Sequence, residues 1–255
     1  MRGLVLAFLT FCAALPARAE EVVLGLSKDE VAITASFDGS EILIFGAVRR
    51  EQPIPDGPPL EVVITVAGPS MPVTVRRKEH RYGIWINTDA VDVDRAPSYY
   101  AVASSGPLRE VLSNIEDLRH RITVPRAIRS VGAPMTILDS ASFTRALIRI
   151  RGNVGLYQVL EGNVNVDQQT LFRTSIQLPS AVTEGGYVTR IFLTRNGKVV
   201  TQYQTTIEVR KVGLERWLHS LSRNQPLLYG LMSIAIAIAA GWGASAGFAL
   251  LRSHF

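Results

Sequence analysis

Cysteine is almost missing from this chain. Cys12 is the only one in 255 residues, so neither an internal disulfide nor a thiolate metal site is expected. Histidine is nearly as scarce. His80, His120 and His219 lie far apart, without the paired spacing of a zinc site, and no G-x-S-x-G elbow or glycine-rich phosphate loop is present. No cofactor or catalytic residue is therefore assigned, and an enzyme would need groups that only folding brings together. Charge is also sparse and mixed. The chain has 27 Lys and Arg against 22 Asp and Glu, a balance too small and too dispersed to point to nucleic acid.

Long uncharged runs, by contrast, occur at both ends. Arg2 precedes the apolar run Leu4 to Leu15, Pro16 breaks it, and Ala17-Arg18-Ala19 supplies the small residues of a signal-peptidase site. Residues 1–19 are read as a secretory signal peptide. Phe11 is too large for the small residue that precedes a lipid-modified cysteine, which argues against that fate for Cys12. Removal of Arg2 and Arg18 leaves 25 basic against 22 acidic residues, a net of about +3.

The second run lies between Arg223 and Arg252. Its apolar part, Leu227 to Leu251, is about 37 Å long as a helix, enough to span a bilayer with some tilt. The spanning helix is assigned to 226–251, after a juxtamembrane amphipathic helix over 211–225. Within it Ala235, Ala239, Gly243 and Gly247 form a row of small residues ending in G-x-x-x-G, a candidate helix-packing face. Ala237, Gly241 and Ser245 make a second row about 200° around the helix. The expected neighbours are membrane lipid and another integral membrane protein, or a second copy of this chain. Together the two apolar runs place the ectodomain in the periplasm and the tail, 252–255, in the cytoplasm of a bacterial inner membrane. The basic residues Arg210, Lys211, Arg216 and Arg223 on the outer flank oppose this orientation, and the signal peptide, which acts first, decides it.

The ectodomain reads mainly as strands. Seven runs rich in β-branched and aromatic residues, from "EVVLGLS" to "YYAVAS", fill residues 20–105, separated by Asp38-Gly39-Ser40, "QPIPDGPP" and Gly68-Pro69. They suggest an Ig-like β-sandwich with Trp85 in its core. Residues 106–138 read as an interdomain connection holding one amphipathic helix of about three turns, with Leu108, Val111, Leu112, Ile115 and Leu118 on one face. A second β-rich domain of sandwich type is expected over 139–210. It opens on a helix with Phe143, Ala146, Leu147 and Ile150 on one side and continues through "LYQVL", "NVNV", "TLFRTSIQL", "YVTRIFLTR" and "KVVTQYQTTIEVR". Asn196-Gly197 predicts a type I′ hairpin turn, and Tyr187 stands where sandwiches of this class place a corner tyrosine.

Two polar stretches stand out. Arg76, Arg77, Lys78 and Arg81 form the densest basic run, read as an exposed hairpin that could also serve as an anion or partner patch. Asn87, Asp89, Asp92 and Asp94 offer oxygens of the kind Ca²⁺ prefers but lack the EF-hand glycine and terminal glutamate, so a solvated loop is expected.

Residues 23–48, "VLGLSKDEVAITASFDGSEILIFGAV", with "GIWIN" at 83–87, "APSYYAVASS" at 96–105, "GLYQVLEGNV", "LFRTSIQLP", "EVRKVGLERWL" and "PLLYG", carry a resemblance over nearly the whole mature chain. The sequence resembles a transmembrane protein family of alphaproteobacteria. That resemblance implies a membrane topology and no particular activity. An association of such proteins with sulfite-exporter-like permeases implies a transporter accessory. Three functions therefore stand as expectations: a non-enzymatic accessory or scaffold, a periplasmic ligand-binding or sensing module, and an enzyme without a recognisable motif.

Overall fold

A computed structural model describes residues 20–26, 30–33, 39–50, 57–130, 139–211, 218 and 221–252. The signal peptide read over 1–19, the tail beyond Arg252 and most of the juxtamembrane segment, Trp217 included, lie outside these residues. The chain divides into two compact units, Met1–Val31 with Asp38–Val209 and Ala32–Phe37 with Arg210–Phe255.

Each β-branched run becomes a strand. In chain order these are β1 (Glu20–Leu26), β2 (Glu30–Ile33), β3 (Gly39–Arg50), β4 (Glu61–Ala67), β5 (Ser70–Arg81), β6 (Ile84–Pro97), β7 (Tyr100–Ser104), β8 (Tyr157–Leu160), β9 (Asn165–Asp167), β10 (Leu171–Pro179), β11 (Gly185–Arg195) and β12 (Lys198–Lys211). The helices are α1 (Leu108–Val111), α2 (Asn114–His120), α3 (Val124–Ala127), α4 (Ser140–Asn153) and α5 (Pro226–Arg252).

The fold is mainly β, and its topology corrects the expected division at 106–138. One sheet runs β1-β3-β10-β9 and a second runs β2-β12-β11-β4-β7-β8. Strands from both halves of the sequence alternate in each, with β3 beside β10 and β4 between β11 and β7. Neither large sheet belongs to one half of the sequence, and only the two-stranded β5–β6 sheet is built from one half alone, so a single unit spans the expected division. The segment read as a connection is instead part of the crossover that a parallel pair requires: β7 and β8 are parallel, and α1 to α4 lie between them.

Burial follows strand parity. In β3, Ile42, Ile44 and Val48 are buried while Leu43 and Phe45 are partly exposed. The matching face of β10 buries Phe172, Ile176 and Leu178. Gly46 is required there, because a Cβ would stand 2.4 Å from the ring of Phe172, its register partner. The central strand β4 is buried on both faces. Val62, Ile64 and Val66 share one face with Ile191, Leu193 and Ile207. The opposite face, with Val63, Tyr100, Val102, Tyr157 and Phe192, packs against Val111, Leu112, Ile122 and Val124 of the crossover, Phe143 and Leu147 of α4, and Val75, Val91 and Val93 of the β5–β6 hairpin.

The local signals are met at several points. Asn196 and Gly197 have φ of 50° and 73°, and Arg195 pairs with Lys198 across the turn. Arg195 Nη1 reaches the Pro58 carbonyl at 2.9 Å. The Tyr187 hydroxyl donates to Thr183 O at 2.7 Å, the backbone bond that a corner tyrosine makes. Helix α4 buries Phe143 and Leu147, although Ile150 is exposed.

The single amphipathic helix expected to carry Leu108, Val111, Leu112, Ile115 and Leu118 on one face is a correction. It is broken into α1 and α2 at Leu112-Ser113, where Ser113 Oγ accepts from Glu116 N at 3.4 Å. Ser-x-x-Glu is a helix-start signal, and here it begins a new helix instead of continuing the old one. As a result Val111 and Leu112 are buried while Ile115 and Leu118 are exposed.

In the second unit a fresh helix starts at Pro226, at the position where proline costs no hydrogen bond.

Candidate functional site

The basic run lies on the β5–β6 hairpin, as expected, turned at Tyr82-Gly83 with φ of 50° and 86°. Near its base Val75, Val91, Val93 and Ala96 enter the core. Beyond Arg77 and Thr88 the hairpin reaches past that packing, and its turn and the residues beside it meet solvent. Trp85, expected in the core, is therefore 69% exposed, beside Ile84 at 61% and the fully exposed Tyr82. The Trp85 ring stacks edge-on against His80, with centroids 5.3 Å apart.

Folding regroups the four basic residues. Arg77 lies 3.6 Å from Asp89 and 3.3 Å from Asp139, donates to Ser142 Oγ at 2.8 Å, and sits 4.7 Å from the Phe143 ring centroid. A hydrogen bond from Ser142, with the nearby Arg77 and Arg145 charges, holds the Asp139 carboxyl below its ordinary range. Arg81 pairs with Glu79 at 2.8 Å. Arg76 and Lys78, with Arg77 between them, join Arg145 and Arg149 of α4 along a groove of about 610 Å³. No local signal points to these two arginines, which arrive from a helix more than sixty residues away.

The acidic stretch is also placed differently from expectation. Asn87, Asp89, Asp92 and Asp94 lie on β6 and not in a loop. Asp89 faces Arg77, and Asp92 accepts from Thr74 Oγ1 at 2.6 Å. Among the described residues no group of three or more His, Cys, Asp or Glu side chains is placed to hold a metal ion. His120 lies 3.3 Å from Glu116 and stacks on Phe192 with centroids 5.5 Å apart.

A second cleft has no counterpart in the sequence reading. Arg95, Arg121, Arg126, Arg129 and Arg190 converge on a cavity of about 830 Å³ flanked by Leu118, Pro125, Ile128 and Val188. Arg190 is tied down. It donates to His120 O at 2.8 Å, Arg121 O at 3.1 Å and the Tyr100 hydroxyl at 3.2 Å. That hydroxyl donates to Ile122 O at 2.8 Å, and burial raises its pKa against the opposing pull of Arg190. Arg126 lies 4.0 Å from Asp117, whose carboxylate accepts from Ile122 N, Thr123 N and the Thr123 hydroxyl.

Helix α5 supplies the third surface. Over Pro226–Ser245 it is long and apolar enough to cross a membrane, and none of that window is buried. Ala235, Ala239 and Gly243 lie exposed along it, and a Cβ added at Gly243 would meet nothing within 4 Å. Gly247 lies in the same helix, but its surroundings fall outside the described residues.

No curated protein matches the chain. A family model described as "Putative transmembrane protein (Alph_Pro_TM)" matches residues 21–249. With nearly the whole chain covered and an apolar helix at its end, this protein belongs to that transmembrane family.

Proposed function

We propose that the chain is a single-pass inner-membrane protein that holds its β-rich unit in the periplasm and serves as a non-enzymatic accessory or scaffold of another membrane protein, transporters being the class in view. The observation that carries this reading is the hairpin tip. Tyr82, Ile84 and Trp85 are large side chains clustered in solvent at the apex of one hairpin, two of them aromatic, and such a cluster supports a contact surface. The row Ala235, Ala239, Gly243 and Gly247 of the membrane helix supports a helix–helix contact in the same complex. The signal peptide read over 1–19 supports the orientation. A second reading, a periplasmic ligand-binding module, is favoured by the arginine cleft.

Photocrosslinking tests the first reading. A benzophenone amino acid placed at Trp85 in the full-length chain, in intact cells, should give a discrete protein adduct. Tyr82→Ser with Ile84→Ser should remove it, and Gly243→Ile with Gly247→Ile should weaken partner recovery without preventing insertion, since Ile is more apolar than Gly. Adducts to lipid alone, or none at all, would sink the accessory reading.

A further inference from the structure

The arginine cleft contains an arrangement that folding alone does not explain. Arg95 and Arg129 face each other in an isolated antiparallel bridge, Arg95 N donating to Arg129 O at 3.1 Å and Arg129 N to Arg95 O at 2.9 Å. Residues paired in this way project from the same side of the ladder, and like charges directly opposite one another are destabilising. No acidic side chain among the described residues pairs with either. Arg121 adds a third such charge from a left-handed position, with φ 51° and ψ 60°, at the end of α2, where glycine is the usual residue. Among the described residues, the carboxylate closest to an arginine of the cleft is that of Asp117, 4.0 Å from Arg126 and already engaged by three other donors.

We propose that this cleft binds a phosphate-bearing anion. Guanidinium groups present planar pairs of donors that match phosphate oxygens, and they remain charged at any working pH. Three uncompensated arginines suit a multiply charged group. The cavity, about 830 Å³, exceeds what one inorganic ion fills, and Leu118, Pro125, Ile128 and Val188 line it beside the charges. Leu118 is 60% exposed there. The occupant therefore has a phosphorylated end held by Arg95, Arg121 and Arg129 and a less polar body resting on these side chains. A soluble phosphorylated molecule and a phospholipid headgroup share this chemistry. The site does not depend on the hairpin contact proposed above, and either can fail alone.

The test uses the full-length chain in detergent micelles with inorganic pyrophosphate as the soluble probe, and in nanodiscs of phosphatidylglycerol or of phosphatidylcholine as the lipid probe. Pyrophosphate should raise the thermal midpoint in a saturable manner. Its affinity should fall about tenfold in Arg129→Gln and about a hundredfold in Arg95→Gln with Arg129→Gln, while Arg173→Gln on β10, a matched loss of one charge, should leave it unchanged. Hydrogen exchange over residues 121–130 that slows in phosphatidylglycerol discs but not in phosphatidylcholine discs would assign the site to a headgroup. Protection by pyrophosphate without that difference would assign it to a soluble ligand. Without any anion, the double variant should melt at or above the wild-type temperature, because a like-charge pair has been relieved. Equal pyrophosphate binding by wild type and double variant, no response to either probe, or a lower anion-free melting temperature of the double variant would each overturn the proposal.

Discussion

The β5–β6 and β11–β12 hairpins are built alike and end in different surroundings. Each closes on a two-residue turn with both residues at positive φ, Tyr82 and Gly83 at 50° and 86°, Asn196 and Gly197 at 50° and 73°. Each carries a ring stacked edge-on against a histidine, Trp85 on His80 and Phe192 on His120. The β11–β12 turn is docked: Gly197 O accepts from Ser113 N at 2.9 Å, and Phe192 is fully buried. The β5–β6 turn stands in solvent, where a Cβ on Gly83 would meet nothing within 4 Å. Asparagine is what local energetics favours at the first position of such a turn, and tyrosine is not. A bulky residue kept in a left-handed conformation without burial gains nothing from packing, and this contrast supports the tip, and not the docked hairpin, as the proposed contact surface.

High pH should break the docked side most severely. The hydroxyls of Tyr99, Tyr100, Tyr157 and Tyr187 are buried, and burial raises the pKa of each, opposed at Tyr100 by Arg190 and at Tyr157 by Arg151. A raised folded value means that the unfolded chain ionises first. Stability from these groups is fully present below about pH 10 and is lost above it, by up to about 1.4 kcal/mol per pH unit for each tyrosine still protonated in the folded state. Thermal melts from about pH 8 to about pH 11.5 should show a plateau and then a fall, and a flat profile would refute this.

Next in size is the contrast between the two stacked rings. Phe192→Ala removes a fully buried ring and should cost about 3–5 kcal/mol, whereas Trp85→Ala at the exposed tip should change stability by no more than about 0.5 kcal/mol. Urea unfolding of both variants at equal m-value checks the pair. A large loss in Trp85→Ala would make the tip a structural element.

The same comparison explains what could be read from sequence. Strand runs were legible because alternation of β-branched residues is a local property, and so were the Asn196-Gly197 turn, helix α4 and the helix start at Pro226. The partner of each strand was not. β3 pairs with β10 across more than a hundred residues, and no local signal states that two halves of a chain will interleave. Trp85 reads as core by residue type, yet its hairpin outruns the body that would have covered it. The break between α1 and α2 carries a local signal, Ser113 with Glu116, that the helical spacing of the apolar residues on either side hides. Of the candidate sites, the Arg76 to Lys78 run was visible because it is contiguous. Arg145 and Arg149 join it, and Arg95 meets Arg129, only through tertiary structure.

The smallest effect separates the hairpins most cleanly, because it changes one residue type at one backbone conformation. Tyr82 and Asn196 share φ 50°, and both are exposed. A left-handed conformation costs an ordinary L-residue about 1–2 kcal/mol and asparagine less. Tyr82→Asn should therefore raise stability by about 0.5–1 kcal/mol, and Asn196→Tyr should lower it by a similar amount. The two shifts should nearly cancel in the double variant, since the turns belong to different hairpins and distant sites add. Urea midpoints at constant m-value measure all three. Tyr82→Asn should at the same time weaken the Trp85 crosslink, so that stability and contact move in opposite directions. If Tyr82→Asn instead destabilised the protein, the tyrosine would be holding its own hairpin together, and its exposure would no longer argue for a partner.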